Sequence, residues 1–222
     1  MATRLLIAED DAPLREILVR SLRAEGFSAS AVPTARELLE RALEQEPDAI
    51  VIDIGLPDGD GRDLCRALRA RGVRAPVLFL TARNVLSDRL SGFNAGGDDY
   101  VTKPFDIEEV QARLHALLKR SKPEAAVRDV AGLHLDPGQL TVSSGGASDT
   151  LTPTEFRLLG ALAAAPGRVI SRQKLMRTAW PHGAIVQDNT LDVYVARLRR
   201  KLEQLPDVPS IRTAHGVGYR LQ

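Results

Sequence analysis

The chain has 222 residues, 44% of them hydrophobic and 27% charged, with a net charge of +1. That length and balance fit one large or two ordinary soluble domains, each able to bury a core. The longest apolar runs are far too short to span a bilayer, the opening Met-Ala-Thr-Arg before a strand-like Leu-Leu-Ile-Ala reads as no signal peptide, and the single cysteine, Cys65, excludes an internal disulfide. The expected location is a reducing cytoplasm, with no membrane partner.

The small net charge hides an asymmetry. Residues 1–120 carry 17 Lys+Arg against 20 Asp+Glu, net −3, whereas residues 121–222 carry 13 against 9, net +4. An acidic half and a basic half point to two domains with different partners.

In chain order, residues 4–8 form a first strand running into Glu9-Asp10-Asp11. Pro13 suits a first helical position, and Leu14, Ile17, Leu18 and Leu22 mark one helix face until Gly26 stops it. Residues 28–32 are a weak edge strand, and Thr34 with Glu37 makes a capping box for a helix to about residue 45. Residues 49–52, Ala-Ile-Val-Ile, run straight into Asp53 and a Pro/Gly-rich turn, the pattern of a strand buried on both faces. A helix over about 62–70 follows, then a buried strand at 77–80 ending at Thr81. Next come a weaker helix at 85–94 and a short strand at 99–102 ending at Lys103-Pro104. Asp106 and Glu109 supply a second capping box for a helix reaching residue 119. This βαβαβαβαβα order predicts an α/β doubly wound, parallel five-stranded domain with right-handed crossovers.

Residues 121–129, Ser-Lys-Pro-Glu-Ala-Ala-Val-Arg-Asp, lack a hydrophobic face and read as a linker between domains at 1–120 and 130–222. Beyond it the style changes to short strands over 130–151, separated by Asp-Pro-Gly and Ser-Ser-Gly-Gly turns. Thr152-Pro153-Thr154-Glu155 is a capping box with Phe156, Leu158, Leu159 and Leu162 behind it. Ser171 caps a helix ending near Trp180, a loop occupies 181–188, and a long helix runs from 189 to about 204. Residues 211–221 read as a hairpin turning at His215-Gly216, which completes an α+β second domain.

Glu9, Asp10, Asp53, Thr81 and Lys103 all fall at carboxyl ends of the expected parallel strands, the edge where ligands bind in such sheets. Three clustered carboxylates repel, so the arrangement calls for a cation, and a hard divalent ion with oxygen ligands, Mg²⁺, fits. The metal can neutralise an incoming phosphoryl group while Asp53 attacks, with Lys103 and Thr81 holding phosphoryl oxygens.

Here the residues carry a family resemblance. Ile-Ala-Glu9-Asp10-Asp11, Ile-Asp53-Ile-Gly-Leu-Pro-Asp-Gly-Asp-Gly61, Leu80-Thr81-Ala82 and Gly97-Asp98-Asp99-Tyr100-Val-Thr-Lys103-Pro104-Phe105 resemble the CheY-like receiver domain of two-component response regulators over residues 3–120. The resemblance implies Asp53 as phospho-acceptor from a sensor histidine kinase, and Glu9, Asp10, Asp53 and the Gly55 carbonyl as metal ligands. It also implies Thr81 and Tyr100 as a switch pair and a cis Lys103–Pro104 peptide. Gly55 and Gly97 stand where the family usually carries bulkier residues. The face made by the helix at 85–94, the strand at 99–102 and the last helix of the domain carries Arg89, Asp98, Asp99, Glu109, Arg113 and Arg120, alternating in sign like the subfamily's homodimer surface.

In the basic half, Leu191, Val195 and Leu198 mark one face of the long helix, while Asn189, Tyr194, Ala196, Arg197, Arg199, Arg200 and Lys201 fall outside that stripe. A preceding helix and loop and a following Gly-rich hairpin make this a helix-turn-helix with a wing. Leu-Thr-Pro-Thr-Glu-Phe-Arg-Leu-Leu, Val-Ile-Ser-Arg-Gln-Lys-Leu, Leu-Asp-Val-Tyr-Val-Ala-Arg-Leu-Arg-Arg-Lys-Leu and Arg-Thr-Ala-His-Gly-Val-Gly-Tyr-Arg-Leu resemble the winged-helix effector domain of the OmpR/PhoB subfamily. That resemblance implies promoter DNA as ligand, with Arg197 and Arg199 on phosphates and Asn189, Thr190 and Tyr194 facing bases. Arg200 joins the cationic set, His215 sits at the wing tip where the family often has arginine, and residues 181–188 form a loop available to RNA polymerase.

Two rivals are weighed against this phosphorylation-controlled regulator. A phosphatase using Asp53 as nucleophile lacks a second catalytic acid two residues on, where Gly55 stands, so a turnover enzyme is not expected. A constitutive DNA-binding protein would have no use for the intact acid set.

Overall fold

In the computed structural model, Ala49–Asp53 is a strand buried along its whole length, and the first half of the chain is laid out around it. The structure describes residues 2–82, 96–120, 128–130, 132–180 and 188–222. The helix expected at 85–94, with Arg89, lies outside the described residues, as do 121–127 of the linker and 181–187 of the loop.

Contacts divide the chain into Met1–Ser121 and Lys122–Gln222. The first unit contains β1 (Arg4–Ala8), α1 (Ala12–Ala24), β2 (Ser28–Val32), α2 (Ala35–Gln45), β3 (Ala49–Asp53), α3 (Gly61–Ala70), β4 (Val77–Ala82), β5 (Asp99–Lys103) and α4 (Ile107–Arg120). The five strands form one parallel sheet in the order β2-β1-β3-β4-β5. Strand side chains alternate between faces, so Leu5, Ile7, Val51, Leu78, Leu80 and Val101 pack with Leu18 and Leu22 of α1 and with Val110, Leu114 and Leu117 of α4. Leu6, Ile50 and Ile52 take the opposite face and are buried, as are Leu38, Leu64 and Leu68 of α2 and α3. Helices on both faces explain why β3 is an unbroken apolar run.

The helix starts follow local capping chemistry. Asp11 caps α1 by accepting from Leu14 N, and Thr34 caps α2 by accepting from Glu37 N. At the second expected capping box, Glu109 N donates to the Asp106 backbone oxygen at 3.0 Å, and Glu109 Oε1 accepts from Arg113, one turn on.

The second unit opens with an antiparallel sheet of β6 (Arg128–Val130), β7 (Leu133–Asp136), β8 (Thr141–Ser144) and β9 (Ala147–Thr150), paired in reverse chain order. Arg128 and Asp129, read above as linker, belong to β6 because their backbones pair with Leu135 and His134. Next come α5 (Pro153–Ala163), β10 (Ile170–Ser171), α6 (Arg172–Ala179), α7 (Asp188–Leu202), β11 (Ile211–Ala214) and β12 (Gly218–Leu221). The hairpin β11–β12 gains a third strand, because β10 pairs with β12. Gly218 permits that contact: a Cβ there would lie 2.0 Å from the Ile170 carbonyl oxygen. Helix α7 packs against α5, α6 and β11, and this three-sided burial governs which of its side chains reach solvent.

Candidate functional site

The carboxyl ends of β1, β3 and β5 bring Glu9, Asp10, Asp53 and Lys103 together. Glu9 is fully buried, Asp53 nearly so, and Asp10 exposed. One carboxylate oxygen from each acid lies within 4.8 Å of the others. Lys103 Nζ donates to Asp53 Oδ2 at 2.6 Å and to Glu9 Oε2 and Oε1 at 2.8 and 2.9 Å. The Lys103–Pro104 peptide is cis. Burial pushes the Glu9 carboxyl above its usual range and the neighbouring Asp53 charge adds to this, against the Lys103 hydrogen bond. Burial alone would lower the Lys103 ammonium, but its hydrogen bonds to Asp53 and Glu9 outweigh it and raise the pKa. Three carboxylates against one ammonium leave a surplus of negative charge on oxygen donors, the chemistry a hard divalent cation satisfies. The donor set therefore fits Mg²⁺.

Two supporting residues were missed at the sequence level. Arg15 Nη1 donates to the backbone oxygens of Glu9 and Asp10 at 2.8 and 2.9 Å, holding the acid pair by its main chain. Gly61 lies so close to β3 that a Cβ would stand 2.3 Å from the Asp53 carbonyl oxygen. Its place as the third glycine in the Asp53 turn was the available signal. Thr81 and Tyr100 are both buried, on the adjacent strands β4 and β5. Gly55 N donates to Asp53 Oδ1 at 3.2 Å, and open space surrounds its missing Cβ.

On the same unit, two members of the expected self-association face turn inward. Asp98 is fully buried, receiving Val77 N and Arg69 Nη2, each at 3.1 Å. Asp99 is 2% exposed and paired with Arg113 at 3.2 Å, while the same guanidinium holds Glu109 at 2.7 Å. Burial withdraws both aspartates from an interface. The Arg120 side chain lies outside what is described.

In the second unit the structure corrects the reading of α7. Tyr194 is fully buried and meets Trp180 edge-to-face at 5.1 Å, and Thr190 is 1% exposed, so neither faces a base. Arg197 is also inside, 3.7 Å from Glu155 and 5.0 Å over the Tyr194 ring, which removes it from the phosphate-facing set. Packing on three sides buries a wider arc than the Leu191/Val195/Leu198 stripe. The solvent side carries Asp192, Ala196 and Arg200, with Val193 and Arg199 at its margins. The Asn189 side chain lies outside what is described. Arg199 Nε donates to Ile211 O and its Nη2 to Thr213 Oγ1, both at 2.8 Å, lashing the helix to the wing. Asp192, not singled out in the sequence, accepts from Arg172 Nη1 at 2.6 Å and from the Tyr219 hydroxyl. It thereby joins α7 to α6 and β12. His215 is exposed in the turn between β11 and β12.

Comparisons with known proteins match both units. A model of the response regulator receiver domain matches residues 5–115, and one of the C-terminal domain of transcriptional regulatory proteins matches 146–221. The response regulator MprA of Mycobacterium tuberculosis is 42% identical over 226 residues, covering 100% of this chain and 98% of the relative. MprA of Mycobacterium leprae is 43% identical over 223 residues, covering 99% and 98%. The chain belongs to the OmpR/PhoB-type response regulators.

Two solved structures agree. A RitR mutant superposes with a TM-score of 0.81 at 27% identity, covering 100% of this chain and 99% of the other. The response regulator DrrB, an OmpR/PhoB homologue from Thermotoga maritima, does so at 0.53 and 31% identity, with both chains fully covered. As a response regulator of this type, the protein combines a receiver that carries the acidic pocket with a DNA-binding domain that carries α7 and the wing. No helix among the described residues is long and apolar enough to cross a membrane.

Proposed function

We propose that Asp53 accepts a phosphoryl group from the phosphohistidine of a sensor kinase, and that acceptance shifts the receiver toward a homodimer that binds tandem promoter sites in the cytoplasm. The observation that carries this reading is the convergence of Glu9, Asp10, Asp53 and Lys103 within one pocket. An Asp53 carboxylate oxygen attacks phosphorus, the P–N bond breaks, and the kinase imidazole leaves with the electron pair. Glu9, Asp10, Asp53 and the Gly55 carbonyl would hold Mg²⁺, whose contribution when bound is to offset charge on the phosphoryl oxygens. Lys103 is placed to exchange its Asp53 contact for a phosphoryl oxygen. Thr81 and Tyr100 are assigned as the switch pair that reports occupancy of Asp53. The chain acts as a stoichiometric acceptor: Gly55 stands where a hydrolase would need its second acid. The test is footprinting across genomic DNA with and without acetyl phosphate, and identical protection in both would overturn the reading.

For DNA, Arg200 and Arg199 supply phosphate contacts, Asn189 faces a base, His215 enters the minor groove from the wing, and residues 181–188 meet RNA polymerase. Arg200 is the exposed cation on the solvent side of α7, whereas Arg199 already spends donors on β11. Arg200→Ala should weaken specific and random duplexes alike and lower the salt slope of binding by about one unit. A salt titration on both duplexes checks this; a change in sequence preference with an intact slope would contradict it.

Dimerisation is assigned to the face expected from the helix at 85–94, outside the described residues, together with β5 and α4, with Arg89, Glu109, Arg113 and Arg120 as its charged members. Arg113 is already shared between Asp99 and Glu109 inside one protomer, so pairing across a dimer must exchange these contacts. Charge complementarity across such a face sets register and partner choice more than affinity. Sedimentation of the phosphorylated protein at tens of micromolar should show dimer, and a monomer there would remove the assignment.

A further inference from the structure

The loop that follows the phospho-acceptor is unusually poor in side chains. Gly55 and Gly59 have open space where a Cβ would sit, so neither is wedged by packing. The base of the loop is nonetheless closed tightly. Gly61 N donates to Ile54 O at 2.9 Å, Leu56 is buried, and Gly55–Leu56 pairs antiparallel with Gly59–Asp60. Asp60 caps α3 by accepting from Arg62 N at 2.8 Å. The tip is held from elsewhere. Asp58 Oδ1 accepts from Ala35 N at 2.8 Å and its Oδ2 from Arg36 N at 3.0 Å.

Those two N–H groups are the first of α2, and a helix leaves its first four without intrahelical partners. Thr34 accepts only from Glu37 N, so Asp58 completes the cap across a separation of more than twenty residues. A carboxylate at a helix N-terminus is also favoured by the helix dipole. The backbone hydrogen bonds from Arg36 and Ala35 hold the Asp58 carboxyl below its usual range, as a carboxylate engaged in its charged form should be.

We propose that Asp58 is a positioning residue for the metal site: by clamping the loop tip to α2, it holds the Gly55 carbonyl where the Glu9, Asp10 and Asp53 carboxylates need it. The inference rests on the reading that these groups bind Mg²⁺. A side chain packed at position 55 would stiffen the loop directly; in this chain the tie through Asp58 does so instead. Partners outside the ligand shell commonly change metal affinity by about 10–100-fold when removed. A tie three residues from the carbonyl sits at or below the lower end, about 3- to 10-fold.

The experiment compares Asp58→Ala, Asp58→Asn and Thr34→Ala in the full chain, titrated with Mg²⁺ alone by calorimetry and in acetyl phosphate labelling at varied Mg²⁺. Thr34→Ala removes a cap from the same helix without touching the loop, so it reports the cost of fraying α2. Asp58→Ala should raise the Mg²⁺ dissociation constant and the half-saturating Mg²⁺ for labelling together, with the plateau rate unchanged. Asp58→Asn, which keeps one acceptor oxygen, should fall between it and wild type. Thr34→Ala should lower the melting temperature comparably yet leave Mg²⁺ affinity as in wild type. Equal affinities for Asp58→Ala and wild type, or an equal loss in Thr34→Ala, would overturn the proposal. Wild type that binds no Mg²⁺ would instead bring down the metal reading beneath it, and the proposal with it.

Discussion

Asp53→Asn is expected to lose phosphorylation by acetyl phosphate or a kinase by at least about a thousandfold, because an amide oxygen lacks the charge needed to attack phosphorus. The fold should survive the change. Asp53 lies beside buried Glu9 and exposed Asp10, with the Lys103 ammonium shared by Asp53 and Glu9, so removing a negative charge relieves repulsion within the cluster. Lys103 loses one ionic contact at 2.6 Å but keeps Glu9 at 2.8 Å. Mass spectrometry of the intact protein, with Mg²⁺ present and after chelation, separates the alternatives. Wild type should gain one phosphoryl group only with Mg²⁺, and the variant none in either condition. A variant labelled like wild type would show that another residue accepts the group.

The second large effect is expected at Glu155, in the DNA-binding domain and far from any proposed DNA contact in sequence. Its carboxylate is 2% exposed and closes the capping box of α5, with Oε2 accepting from Thr152 N at 2.9 Å. The same oxygen accepts from Lys201 Nζ at 2.9 Å, and Oε1 lies 3.7 Å from Arg197 Nη1. The terminal nitrogens of Arg197 make no hydrogen bond, so this second contact is purely ionic and its guanidinium leans on the Tyr194 ring instead. Glu155→Ala leaves the charge on Arg197 buried without its counter-ion, a loss of about 3–5 kcal/mol for comparable buried pairs. Much of a domain's stability is of that size, so specific DNA binding should vanish with the fold at 37 °C. Differential calorimetry of the full chain measures it, and a second-unit melting temperature unchanged in Glu155→Ala would refute the network's importance.

The same group gives an acid limb to stability. Burial alone would raise the Glu155 pKa, but the charges of Lys201 and Arg197 overcome it and hold the carboxyl below its usual range. A depressed carboxyl contributes stability above its unfolded pKa and loses it as pH falls through the folded one. Wild type should therefore exceed Glu155→Gln in thermal stability at pH 6, with the gap closing below about pH 4.5. A gap that persists undiminished at pH 3 would show that shape rather than charge is responsible.

How legible all this was depends on what each feature requires. The acceptor site could be read from sequence because it needs only strand ends. A run such as Ala-Ile-Val-Ile is apolar on both faces only when helices cover both sides of a parallel sheet, and then the next residue, Asp53, must emerge at the carboxyl edge. Glu9 and Lys103 follow by the same rule on β1 and β5. The hairpin wing was legible for a similar local reason, since Gly216 takes a left-handed conformation between two short paired strands.

What the sequence could not assign is which polar side chains are outside. A helical stripe shows where burial is centred, not how wide it is, and α7 is covered by α5, α6 and β11 together. Tyr194 and Arg197 therefore went inside, and Arg197 found a buried partner, Glu155, more than forty residues away. Asp98 was drawn in likewise by Arg69 and the Val77 amide. Asp58 passed as a turn residue because its partners, the amides of Ala35 and Arg36, belong to another helix. Local pattern thus determined the strands, their order of appearance and the chemistry at their ends. Only tertiary packing could decide how each long-range charge is paired, because a buried ion is tolerable only beside a counter-charge that the chain brings from a distance.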